Sequence, residues 1–153
     1  MAIPEGTAPD ALATAALADD LSFLLARANA LSLAAGNSAL APLGLRVRSY
    51  SVLALAADDG ARPTQRELAE FLRLDPSQVV ALVDDLQRRG LVERRPDPSD
   101  RRANVVVVTD EGRALHQQAV AAAAAAEHDL HAGLDAHDRA QLAALLRRIA
   151  FPD

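Results

Sequence analysis

Cysteine is absent from this 153-residue chain, and so are tryptophan and lysine, while aromatic residues make up only 3% of it. Without cysteine there is no disulfide framework, no thiolate metal site and no thiol redox sensor. No apolar run approaches the roughly 20 residues that cross a membrane. The opening "MAIPEGTAPDALATAALADD" has no basic stretch ahead of an apolar one, so no secretion signal is expected. A Gly-rich phosphate loop, a nucleophile elbow and clustered carboxylates are all missing, so no enzyme is expected and no cofactor is implied. What is left is a soluble, cytoplasmic, membrane-free protein of one domain, long enough to bury its own core.

Half of the residues are apolar, and alanine and leucine dominate them, which favours helix. All 16 basic residues are arginine. A GC-rich coding background explains that choice, so the position of the arginines carries the information. Between Leu86 and Arg102 stand Arg88, Arg89, Arg94, Arg95, Arg101 and Arg102 against Glu93, Asp97 and Asp100, a local +3 in a chain of net charge −5. The remainder therefore carries −8, and the asymmetry marks one region for an anionic partner.

Residues 1–9, with Pro4, Gly6 and Pro9, read as a loose arm. From Asp10 to about Ala35, Leu17, Leu21, Leu24, Leu25, Ala28 and Leu31 recur at helical spacing. Gly36, Pro42 and Gly44 then break the pattern, and a second helix is expected over about 46–57, with Val47, Tyr50, Leu53 and Ala54 on one side. Thr64 and Glu67 form a capping box that opens a short helix to about Leu72. Asp75 as N-cap and Pro76 at the first helical position open another, which Gly90 ends. In it Val79, Leu82, Val83 and Leu86 make one buried stripe and leave Ser77, Gln78 and Ala81 on the other side. "LVERR" and "NVVVVT" read as strands around the turn-rich "PDPSDRRA". Thr109 to Gly112 then open an alanine-rich helix to about Ala132, and a last helix covers about 138–149. Two short helices followed by a β-hairpin describe a winged helix-turn-helix.

With these elements in place, the sequence resembles the MarR family of transcriptional regulators. The resemblance rests on Gly90-Leu91-Val92-Glu93-Arg94, then Asp100-Arg101-Arg102, then Thr109 and Gly112, in that order and at the family's spacing. It implies a mainly α fold, a winged helix-turn-helix at 46–109 flanked by dimerisation helices at 10–35 and 110–150. It also implies an obligate homodimer that binds double-stranded DNA at an inverted repeat. The six alanines Ala121 to Ala126 suit close helix packing in such a dimer, and equally suit a plain helix former.

In that setting, the helix that starts at Pro76 would enter the major groove, with Ser77 and Gln78 toward base edges and Ala81 toward thymine methyls. Asp100 and Arg102 would be the wing pair, the arginine in the minor groove and the aspartate orienting it, with Arg101 on phosphate or the two arginines' roles exchanged. Arg94 and Arg95 would support backbone contacts from the base of the wing. Thr64, at a helix start, together with Arg66 and Arg73, would meet phosphate. One departure stands out: where many relatives carry Thr or Arg, this chain has Val79-Val80-Ala81, so fewer side chains can reach bases.

Family members commonly release DNA when a small phenolic or aromatic acid binds between the dimer base and the winged domain. Arg27, Asn37, Arg48 and Tyr50 are the candidates for such a pocket, an arginine pairing with the ligand carboxylate. Arg27 could instead make a salt bridge and Tyr50 could be core. His128 and His131, on one face of a helix, offer a metal alternative, although histidines near a helix C-terminus also complement its dipole. Two other readings are therefore kept, a metal-responsive regulator and a winged-helix protein that acts through protein contacts.

Overall fold

The computed structural model describes residues 12–152. The chain divides after Ala34 into two compact units. In the first, a 3-10 turn at Ala16–Asp19 precedes helix α1, Leu21–Leu40, which runs on into the second. The expected start at Asp10 lies outside the described residues. The continuous helix begins only after Asp20, whose carboxylate accepts the Phe23 N–H at 2.8 Å and caps it. Leu17, Leu21, Leu24 and Leu31 are exposed.

Helix α1 does not stop at Ala35. It continues through Gly36, because that glycine serves packing there: a Cβ at Gly36 would lie 2.6 Å from Val47 Cγ2. A 3-10 turn at Ala41–Leu43 follows, closed by Gly44 at φ 67°, the left-handed region that glycine enters freely. Helix α2, Val47–Ala57, buries Ser49, Val52, Leu53, Ala56 and Ala57. Its buried face is thus rotated from the expected Val47-Tyr50-Leu53-Ala54 line. The reason is that α2 is the central helix, touching the two helices and the strand that follow as well as the alanine-rich one.

Helix α3, Gln65–Leu72, and helix α4, Pro76–Arg88, form the helix-turn-helix. Both expected caps are present. Thr64 Oγ1 accepts the Glu67 N–H at 3.2 Å and the Thr64 N–H donates to Glu67 Oε2 at 2.7 Å. Asp75 Oδ1 accepts the Ser77 N–H at 2.8 Å. Between the two helices, Arg73 closes α3 at φ 54°, unusual for a residue with a side chain. Strands β1, Val92–Pro96, and β2, Asn104–Val108, pair antiparallel with Val92 opposite Val108 and Pro96 opposite Asn104. A contact the sequence did not suggest joins them: Thr64 bridges Val105, and the Val106 N–H donates to the Pro63 carbonyl at 2.8 Å. The core of this unit is built on Leu40, Leu45, Leu53, Leu68, Leu86 and Val106, each at most 1% exposed.

Helices α5, Asp110–Leu130, and α6, Ala136–Ala150, complete six α-helices among the described residues. Asp135 caps α6, accepting the Asp138 N–H at 2.8 Å. No residue of α6 is buried, and Leu142, Leu145, Leu146 and Ile149 are exposed on it. No helix of the described residues is long and apolar enough to cross a membrane.

The join between wing and α5 explains why Thr109 and Gly112 stand where they do. Thr109 Oγ1 donates to the Gly90 carbonyl at 2.6 Å and accepts the Gly112 N–H at 3.0 Å. A Cβ at Gly112 would fall 1.9 Å from the Leu91 carbonyl oxygen. That neighbour is backbone and cannot swing aside. Gly112→Ala is therefore expected to destabilise the protein by about 3 kcal/mol, read as a lower midpoint in urea denaturation, whereas Gly133→Ala, with nothing within 4 Å of the added carbon, leaves the midpoint nearly unchanged.

Candidate nucleic-acid interface

The wing tip is a turn held by its own aspartates. The Asp97 N–H donates to the Ala103 carbonyl at 2.9 Å and closes the hairpin. Asp97 Oδ1 accepts from the Ser99 N–H and from Ser99 Oγ, each at 2.8 Å. Those two bonds, the backbone one first, hold the Asp97 carboxyl below the usual aspartate range. Asp100 Oδ1 accepts the Arg102 N–H at 3.0 Å. The expected partnership of Asp100 and Arg102 thus takes a backbone form: the aspartate fixes the main chain at Arg102 and leaves the guanidinium alone. Arg101 and Arg102 are exposed, and among the described residues neither guanidinium has a hydrogen bond or ion pair.

Arg94 has a different task from the one expected of it. Its side chain is only 23% exposed, and all its nitrogens are engaged. Nε donates to Gln65 Oε1 at 2.8 Å, Nη1 to Gln87 Oε1 at 2.8 Å, and Nη2 to Asp84. One side chain on β1 thereby ties the start of α3 to the second half of α4. Arg95 stays exposed and pairs with Glu93 at 2.8 Å. The partners Gln65, Asp84 and Gln87 were not singled out from the sequence. Asp84 and Gln87 share a face of α4 at i and i+3, so a polar stripe opposite a strand arginine was the available signal.

At the start of α4, Ser77, Gln78 and Ala81 are exposed, as is Val80, and Pro76 sits at the first helical position. Val79 is fully buried, so it is core. The helix start is also already occupied by charge. Asp75 accepts from Ser77 through both hydroxyl and N–H, and these bonds, the hydroxyl's first, lower its carboxyl pKa. The Asp75 N–H in turn donates to Gln78 Oε1 at 3.4 Å. At α3, Thr64 gives both its N–H and its hydroxyl to Glu67, which lowers the Glu67 pKa. Thr64 has no donor left for phosphate unless that box opens. Arg66 is paired with Glu70 at 2.9 Å, which raises its pKa, and Arg73 is exposed.

The residues expected around a ligand are not equivalent. Asn37 Oδ1 accepts the Val47 N–H at 2.9 Å and so caps α2 across the intervening turn. Tyr50 is half-buried and stacks on His116 of α5 with ring centroids 6.0 Å apart; His116 was not anticipated. Arg48 is exposed, as is Arg27 in the first unit. His128 and His131 lie in the last turn and at the C-cap of α5. Among the described residues no group of three or more His, Asp or Glu side chains comes together as a metal would need.

Two expectations separate these roles. Arg94→Ala removes three bonds and leaves Asp84 without its cation, so it should lower stability by about 1–3 kcal/mol, measured by thermal unfolding, whereas Arg101→Ala should leave the midpoint unchanged. The lowered carboxyls of Glu67, Asp75 and Asp97 bind protons less readily folded than unfolded. Their contribution is full above the ordinary values of 4.5 for Glu and 3.8 for Asp and is lost as pH falls through those and the lower folded values. Thermal midpoints taken from pH 7 to pH 2 should therefore hold down to about pH 5 and then fall; replacing all three by their amides should flatten that acid limb.

The comparisons agree with this geometry. A model of the MarR family matches residues 43–103. A MarR-family transcriptional regulator from Rhodococcus sp. RHA1 is 46% identical, with a TM-score of 0.85 over 92% of this chain and 99% of that one. CouR from Rhodococcus jostii RHA1, solved bound to p-coumaroyl-CoA, is 47% identical, with a TM-score of 0.83 over 92% of this chain and 98% of that one. The transcriptional repressor NicR of Pseudomonas putida is 31% identical over 98 residues, 64% of this chain and 62% of its own length, so the match spans less than two thirds of that relative. A winged helix-turn-helix with its wing motif in order, and near-complete overlap with a solved family member, place this chain in the MarR family of transcriptional regulators.

Proposed function

We propose that this chain is a sequence-specific DNA-binding repressor that acts as a cytoplasmic homodimer on an inverted repeat and releases DNA when an aromatic acid or its CoA thioester binds. The observation that carries the reading is the wing tip. Arg66, Arg88, Arg94 and Arg95 are each paired with a carboxylate, whereas Arg101 and Arg102 stand exposed and unpaired among the described residues on a hairpin fixed by Asp97 and Asp100. Free guanidiniums on a fixed loop are what a narrow minor groove and its phosphates attract.

In this reading α4 lies in the major groove with Ser77 and Gln78 toward base edges and Ala81, with Val80 beside it, toward thymine methyls. Arg73 and Arg95 reach phosphate, and Arg66 does so on leaving Glu70. Residues 46–109 make the DNA-reading part, and 10–35 and 110–150 the dimer base. The exposed leucines of α1 and the exposed Leu142, Leu145, Leu146 and Ile149 of α6 support that division, since apolar faces of this extent are covered by partners. The effector class is supported by the p-coumaroyl-CoA bound to CouR, and the sense of regulation by the repressor NicR. Arg48 is a cation that would meet the ligand's anionic groups.

Fluorescence anisotropy on labelled DNA from the region upstream of its own gene, with random competitor and a salt series, tests the reading. Binding that survives competitor, weakens steeply with salt and is reversed by p-coumaroyl-CoA or p-coumaric acid is the expected result. Arg102→Ala should cost about tenfold in affinity without lowering the melting temperature. No binding to any DNA at low salt would sink the reading in favour of protein contacts; binding that both ligands leave intact would remove the effector part alone.

A further inference from the structure

Arg89 follows the last residue of α4, and its side chain reaches away from that helix. Nη1 donates to the Gly44 carbonyl at 2.7 Å and Nη2 to the Leu43 carbonyl at 3.2 Å, partners 45 and 46 residues earlier in the chain. Asp85, one turn back, lies 3.8 Å from Nη1, and the side chain is 32% exposed. This guanidinium is therefore engaged on protein, unlike those of the wing tip.

What the fork grips is a stiff turn. The Gly44 N–H closes onto the Ala41 carbonyl at 2.9 Å and the Leu45 N–H onto the Leu40 carbonyl at 3.2 Å. Asn37 spans it by accepting the Val47 N–H, and Leu45 is anchored in the core at 1% exposure. Gly44 serves twice: its left-handed φ shapes the turn, and a Cβ there would stand 2.9 Å from Arg89 Nη2. A planar fork holds two successive carbonyls from two nitrogens in a fixed geometry, whereas lysine offers its donors from a single nitrogen on a flexible stem.

We propose that Arg89 is a positioning residue for DNA recognition, clamping the C-terminal end of α4 to the turn between α1 and α2 so that the two move together. The inference rests on the DNA-binding reading above and adds a route by which a change at the turn reaches the bases. A helix of 13 residues is a rod about 20 Å long, so a tilt imposed at Arg89 shifts Ser77 and Gln78 at its far end. Coupling of this kind is reciprocal: DNA held at the far end must steady the turn.

The test uses the full chain with Arg89→Lys, which keeps the charge, and Arg89→Met, which keeps much of the stem. DNA affinity is measured by anisotropy across salt, and hydrogen exchange of residues 41–47 with and without DNA. Both variants should bind about tenfold more weakly with the wild-type salt slope. DNA should slow exchange of 41–47 in the wild type and not in either variant, while exchange at 105–108 stays unaltered. A phosphate contact would behave otherwise, with the slope reduced by about 1 in Arg89→Met and affinity restored in Arg89→Lys; that result overturns the proposal. So would undiminished affinity, protection of 41–47 that survives loss of the fork, or faster exchange throughout the variant, which would mark a residue that only holds the fold. Failure of the wild type to bind any DNA removes the DNA-binding reading first, before a variant is compared, and this inference with it.

Discussion

Arg94 adds directed bonds among three elements that already share an apolar core, and the placing of the wing depends on it. A lone two-stranded hairpin is at best marginal in water. Here β1 and β2 are five residues each; one face buries Val92 and Val106, and Val105, on the other, is buried where Thr64 bridges to it. The apolar contact fixes which face of the hairpin looks inward but resists sliding poorly. Three directed bonds from one planar group to Gln65, Gln87 and Asp84 add that resistance, since each has a preferred angle as well as a distance. The Pro63–Val106 bond pins the same hairpin from the opposite side, and Gly112 lets α5 start directly against the chain at Leu91. With those three points fixed, a charged tip can be carried on a short loop and still be held in place.

The arginines divide by what surrounds them more than by where they fall in the sequence. Arg89 and Arg94 face inward to carbonyls and amides and act as struts, and Arg113 does the same from α5 to the Ala57 carbonyl and Asp59 at the end of α2. Arg66, Arg88 and Arg95 lie on the surface in short-range pairs, of the exposed kind that contributes little to stability. In the sequence Arg88, Arg89, Arg94 and Arg95 belong to one basic cluster with Arg101 and Arg102. Counting them together overstates the charge offered to DNA, because Arg88, Arg94 and Arg95 each stand beside a carboxylate.

How far the sequence was legible follows the same division. Elements announced by local chemistry were readable: the Thr64-Glu67 box, Asp75-Pro76, Gly90, and the β-branched run of β2 all lie where their spacing puts them. What was not readable depends on partners distant in the chain. Gly36 looks like a helix breaker until Val47 is seen against it, and the buried face of α2 turns away from its apparent stripe because several elements crowd it. Thr64 at a helix start reads equally as a cap and as a phosphate donor, and only the geometry shows both its donors committed to Glu67. Arg94 lies beside Arg95 and differs from it only in that Gln65 and Asp84, 29 and 10 residues away, come within reach.

The capping pattern bears on how such a surface can attract DNA at all. A free helix N-terminus carries partial positive charge and would draw phosphate. Both α3 and α4 place carboxylates there, Glu67 and Asp75, held ionised by the hydrogen bonds they accept. These carboxylates stabilise the two helices and cancel much of that attraction. On the proposed reading, in a chain of net charge −5, the pull on phosphate comes from the guanidiniums left unpaired, above all Arg101 and Arg102. That reading concentrates attraction at the wing, while α4 presents small and neutral groups, Ser77, Gln78 and Ala81. On the proposed reading, affinity and base choice are separated in space: the wing supplies salt-sensitive attraction, and α4 discriminates only as well as its orientation is held.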